Sequence, residues 1–176
     1  TLQDMASDDF FHVVSDRPLT TDIITFDAER RSGLWRRVQE RSRQVEALYA
    51  DPASAPDPLD HHLAVAFREL ALEEVRVGHY ADLPSRLASL YVSRRLLDAE
   101  RSSELFVNSG RATYSIVRLA VDGPTFTADA RNSFTGSLDR TRNQQLAHHY
   151  WQNLPFPDGG EPIVEVLAGG PIRVIE

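Results

Sequence analysis

At 176 residues the chain is long enough to bury one sizeable core, and a single domain over 1–176 is the natural expectation. The formal charge of −7 argues against a nucleic-acid partner held on a broad basic face, and no window is apolar enough to span a membrane. Cysteine is absent, which removes disulfides and thiolate metal sites; lysine is absent too, which removes Schiff-base chemistry and a P-loop lysine.

The opening Thr1-Leu2-Gln3-Asp4 carries neither the basic segment nor the apolar run of a secretory signal. After Ser7, the run Phe10-Phe11-His12-Val13-Val14-Ser15 has the aromatic and β-branched character of a buried strand, stopped by Asp16-Arg17-Pro18. Residues 19–26 read as a second short strand or a turn packing Ile23, Ile24 and Phe26. From Ser32 the spacing of Leu34, Val38, Val45 and Leu48 predicts one helix with a solvated Arg/Glu face that includes Arg30, Arg31, Arg36, Arg37, Arg41 and Arg43. Pro52, Pro56 and Pro58 make the next stretch a loop. Asp60 can cap a helix whose stripe is Leu63, Ala66, Phe67, Leu70 and Ala71, ending near Gly78.

Past Pro84-Ser85, residues 87–93 predict a second key strand, with a helix over 95–106 and a turn at Asn108-Ser109-Gly110. Residues 112–121 predict a strand broken at Asp122-Gly123-Pro124 and resumed at 125–127. Residues 132–142 look irregular, 143–153 helical, and 154–160 a Pro/Gly loop. The chain closes on strands over 162–167 and 171–175, read as a hairpin across Gly169-Gly170. The sum is an α+β domain.

His61, His62, His79, His148 and His149 show no spacing of a metal set, and neighbouring helical positions point different ways, so solvated or capping histidines are expected and no metal. There is no Gly-x-Ser-x-Gly elbow, and Gly169-Gly170 is not a phosphate loop.

Four stretches carry a family resemblance: Phe10-Phe11-His12; Ala88-Ser89-Leu90-Tyr91-Val92-Ser93 with the helix bearing Ala99 and Glu100; Tyr114-Ser115-Ile116-Val117-Arg118-Leu119, closing on Gly123-Pro124-Thr125-Phe126 and Asp129; and Glu161-Pro162-Ile163-Val164-Glu165-Val166. In this order they resemble the His-Tyr-acid branch of the ADP-ribosyltransferase superfamily, with a layout similar to the rifampin-modifying bacterial enzymes. The pattern Arg68-Glu69-Leu70-Ala71-Leu72-Glu73-Glu74 with Pro84-Ser85-Arg86 also looks like an uncharacterised bacterial group of that superfamily. Val13 stands where the family usually has glycine, and two expected helices lengthen the segment between the histidine and tyrosine motifs.

The resemblance implies a split antiparallel sheet with helices inserted between the first two motif strands. It implies NAD⁺ as substrate, cleavage of its nicotinamide–ribose bond, and transfer of ADP-ribose to an acceptor or to water. His12, Tyr91 and Asp129 would form the triad, with Glu165 as rival acid. His12 would bond a ribose hydroxyl, Tyr91 would stack on the nicotinamide, the Val13 backbone would meet its amide, and Arg17 and Arg86 would meet the pyrophosphate. The acceptor (protein, nucleic acid or small molecule) stays open. A cytoplasmic site of action follows, reached as a free enzyme or as the toxin end of a longer secreted chain; the toxin case would bring a cognate immunity or antitoxin protein. The competing expectation is a catalytically silent module that uses the same fold for binding.

Overall fold

A computed structural model describes residues 9–26 and 32–175; Ser7, Arg30 and Arg31 lie outside the described residues. These residues form an α+β arrangement with two antiparallel sheets and, among the described residues, five α-helices. Strand β1 (Asp9–Ser15) pairs with β4 (Thr113–Val121), which pairs with β7 (Ile172–Val174), and β7 carries the two-residue β2 (Ile23–Ile24). The second sheet orders β3 (Leu90–Val92), β6 (Val164–Ala168) and β5 (Thr125–Asp129).

The two sheets meet along the β1 and β3 edges, where Phe11 and Ser93 exchange both backbone hydrogen bonds at 2.8 Å. Period-2 alternation then divides the faces. Phe10, Leu119 and Ile172 of one sheet and Val92, Val166 and Ala168 of the other form a core between them. Leu167 and Ala128, pointing the other way, pack with Leu72, Val75, Ala147, Tyr150 and Trp151 of the helical layer.

That layer is α3 (His61–His79) and α5 (Arg140–Trp151), each with an aspartate cap: Asp60 accepts from the Leu63 N–H at 3.0 Å and Asp139 from the Arg142 N–H at 2.9 Å. The Asp139 cap starts α5 ahead of the expected 143. Helix α4 (Leu96–Asn108) covers the other side of β1 and β4, with Ala99 fully buried.

Three further expectations change. The single helix after Ser32 is two, α1 (Gly33–Gln39) and α2 (Ser42–Ala50). The Ser42 hydroxyl donates to the Gln39 carbonyl and the Arg41 guanidinium to that of Arg37, so side chains occupy carbonyls a continuous helix would use. The break still lets Val38 and Val45 both be buried. The strand expected over 87–93 is shortened because residues 86–88 form a 3₁₀ turn, capped by Ser85, that carries Arg86 inward.

The third change is topological. β6 and β7 are not a hairpin: β6 lies in one sheet and β7 in the other. Val166, Ala168 and Ile172 bury against one another across the sheets, which pairing within one sheet would prevent. The chain crosses at Gly169-Gly170, beside the reverse crossing at Asp122-Gly123-Pro124. The two crossings are tied by Gly169 N–H to the Pro124 carbonyl (2.8 Å) and Asp122 N–H to the Pro171 carbonyl (3.1 Å). A Cβ on Gly123 would fall 2.2 Å from the Gly169 oxygen, so this contact needs glycine.

Candidate functional site

The edge where the sheets meet brings His12 and Tyr91 together. One residue past the Phe11–Ser93 bridge, His12 Nδ1 lies 2.8 Å from the Tyr91 carbonyl oxygen. A carbonyl only accepts, so Nδ1 carries the proton. Burial lowers the His12 pKa, opposed by the bond to Tyr91 and assisted by the Arg111 charge. The ring is therefore neutral near pH 7, and Nε2, which has no partner among the described residues, presents a lone pair. Val13 is buried on the opposite face of β1 from His12.

Tyr91 pairs with Leu167, and strand alternation places Glu165 on that same helix-facing side. Between them sits Arg86, 5 % exposed. Its guanidinium lies 5.5 Å from the Tyr91 ring centre and 4.9 Å from that of Tyr150. It donates to both oxygens of Glu69 (3.0 and 3.2 Å), to the Tyr150 hydroxyl (2.7 Å) and to Glu165 Oε1 (2.5 Å). The Tyr150 hydroxyl donates to the same Glu165 oxygen. Oε2 of Glu165 has no hydrogen-bond partner among the described residues. Burial disfavours the Arg86 charge, and Glu69, Tyr91, Tyr150 and Glu165 more than offset it. Burial also raises the Tyr91 and Tyr150 phenols, against the pull of Arg86, so both keep their protons at neutral pH. The Ser89 hydroxyl, two residues before Tyr91, is buried without a hydrogen-bond partner among the described residues.

Asp129 is placed apart from these groups. It ends β5 opposite Val164, on the face of the sheet away from Glu165. Its carboxylate holds Arg131 through three guanidinium contacts and accepts the Arg131 and Ile163 N–H groups. Those bonds to Arg131, more than burial opposes them, lower its pKa. Arg17 stands exposed in the turn after β1. Arg86, expected at a pyrophosphate, has its guanidinium taken up by internal partners.

Glu69 and Tyr150 were not anticipated. Glu69 is fully buried on α3 in line with Ala66 and Leu72, three residues to either side. An acid on an apolar stripe is a visible signal that a buried cation must meet it. Concavities elsewhere include one of about 250 Å³ between α1 and α3 and one of about 470 Å³ by Phe134, Leu146 and Phe156. Among the described residues no group of three potential metal ligands converges.

No curated protein matches the sequence. Residues 10–176 match the family model described as "Protein of unknown function (DUF2441)", and the chain belongs to that family.

Proposed function

We propose that the protein is an NAD⁺-dependent ADP-ribosyltransferase with His12, Tyr91 and Glu165 at its centre, arranged at the split of an ADP-ribosyltransferase-like pair of sheets. The observation that supports this most is the meeting of His12 and Tyr91 where β1 and β3 diverge, with Glu165 on the Tyr91 side of the next strand. The neutral His12 accepts a ribose hydroxyl proton at Nε2. Tyr91, a residue 38 % exposed, stacks its ring on the nicotinamide. Glu165 faces the developing charge with Oε2 while Arg86 and Tyr150 fix Oε1. The C1–N bond to nicotinamide breaks with its electron pair going to the departing ring, which leaves neutral. The oxocarbenium-like ribose is captured by an acceptor, which releases its proton, or by water. Asp129 is given the structural task of holding Arg131 rather than that of the acid. The acceptor is open among protein, nucleic acid and small molecule; a cytoplasmic site of action fits NAD⁺ supply.

The test is nicotinamide release and NAD⁺ binding by the purified chain. Glu165→Gln should slow release by roughly 10²–10³ with binding kept, the usual cost of removing an electrostatic stabiliser. Tyr91→Ala should weaken binding by about 0.5–2 kcal/mol, the scale of a ring–cation contact. Asp129→Asn should leave turnover near wild type.

One observation favours a second reading, a silent binding module: the Arg86 guanidinium and one Glu165 oxygen are taken up by bonds within the protein. A folded protein that neither binds nor cleaves NAD⁺ selects that reading.

A further inference from the structure

The pocket between α1 and α3 is lined by basic side chains on a chain whose net charge is acidic. Arg37, Arg41, Arg68, His61 and His62 surround an aliphatic floor, and no aspartate or glutamate lines it, on a chain of net charge −7. Arg37 is exposed, and its guanidinium makes no hydrogen bond or ion pair among the described residues. Arg41 donates to the Arg37 carbonyl at 2.9 Å, and its nearest carboxylate, Glu40, is 3.9 Å away with 63 % of its side chain in solvent. Arg68 bonds Glu69 Oε1 at 3.0 Å, but both Glu69 oxygens are already engaged by Arg86, so one carboxylate serves two cations. The His61 and His62 rings stand 5.4 Å apart at the start of α3, and both reach the pocket although they are adjacent in sequence. Asp60, the acid next to them, is turned to the Leu63 N–H.

Guanidinium forks match phosphate oxygens in geometry and charge. The pocket, about 250 Å³, falls below the usual range for drug-sized ligands, roughly 300–1,000 Å³. It suits one phosphate with a few further atoms. A nucleic-acid track would need a basic stripe extending beyond it, and glutamates such as Glu40 and Glu46 interrupt the arginines along α1 and α2.

We propose that the pocket between α1 and α3 binds the phosphate monoester of a small ligand, with Arg37 and Arg41 as its principal contacts, Arg68 at its inner wall and His61 and His62 at its rim. This does not rest on the NAD⁺ reading. Arg68 nevertheless connects the two regions, since it bonds the glutamate that anchors Arg86.

The experiment is a ¹H–¹⁵N NMR titration of the full chain with inorganic phosphate, ribose 5-phosphate and a single-stranded oligonucleotide, against chloride at matched ionic strength. The expected result is saturable shifts confined to α1 and the start of α3, with ribose 5-phosphate at least as tight as phosphate. Arg37→Gln with Arg41→Gln should weaken binding roughly tenfold or more, the scale of losing two charge-assisted contacts, while the circular dichroism spectrum stays that of the folded chain. Shifts absent at millimolar phosphate and ribose 5-phosphate, shifts that survive the double variant, or shifts reproduced by chloride would overturn the proposal. Saturation by the oligonucleotide alone would also overturn it, in favour of a nucleic-acid surface.

Discussion

Arg86 is the side chain on which most of the site's geometry depends, because a buried guanidinium is tolerated only with its charge matched and its donors used. Glu69 supplies a bidentate partner from α3, Glu165 a second carboxylate from β6, and Tyr150 a hydroxyl from α5, so one residue ties the helical layer to the sheet. Replacing it with an apolar residue of similar length leaves Glu165 without a cation and Glu69 with the Arg68 contact alone. Arg86→Met should therefore destabilise the fold by about 3–5 kcal/mol, the cost of breaking a buried pair from one side. Adding Glu69→Gln should recover part of that loss, because one of the two under-compensated buried charges is then gone. Urea denaturation of the two single variants and the double measures it. Strictly additive losses would mean that the two groups are not coupled. Arg86 itself was legible in sequence only as a spare cation for pyrophosphate; its partners are 17, 64 and 79 residues away, and no local pattern names them.

Among the elements, those written in local chemistry were readable. The α3 stripe with its Asp60 cap, and the apolar run of β1, follow from periodicity and capping alone. The elements set by distant contacts were not. A pair of short strands around Gly169-Gly170 has every local mark of a hairpin, yet β6 and β7 belong to different sheets because burial across the sandwich outweighs turn preference. What permits the crossing is the approach of two backbones at Gly123, where a methyl group would meet the Gly169 and Gly170 oxygens at 2.2 and 2.4 Å. Gly123→Ala should cost about 1–3 kcal/mol, as overpacking does. Gly33→Ala, with nothing near its Cβ direction, is the control and should change stability little. Equal melting temperatures for the two variants would show that the crossings have room to separate.

At the scale of the whole molecule, the Phe11–Ser93 bridge is reinforced by a bond that titrates. His12 Nδ1–H to the Tyr91 carbonyl spans from β1 to β3, and so from one sheet to the other. The sequence made His12 and Tyr91 conspicuous, each a polar ring within a short apolar run, but their meeting requires a chain reversal through three helices that no spacing rule fixes. Because burial lowers the His12 pKa from 6.5, the unfolded chain takes up a proton there before the native state does. Stability from this group is then fully present above the unfolded value and is lost as pH falls through the native one. His12→Gln keeps an N–H donor and removes the titration, so it isolates this residue from the other histidines. The stability advantage of wild type over His12→Gln should be constant from pH 8 to about 7 and shrink steadily below about 6.5, near the unperturbed imidazole value. Denaturation midpoints of both proteins across that range decide it. An advantage that grows on acidification would mean that the native fold prefers the charged imidazole, and the neutral Nε2 acceptor assigned to the ribose would be lost with it.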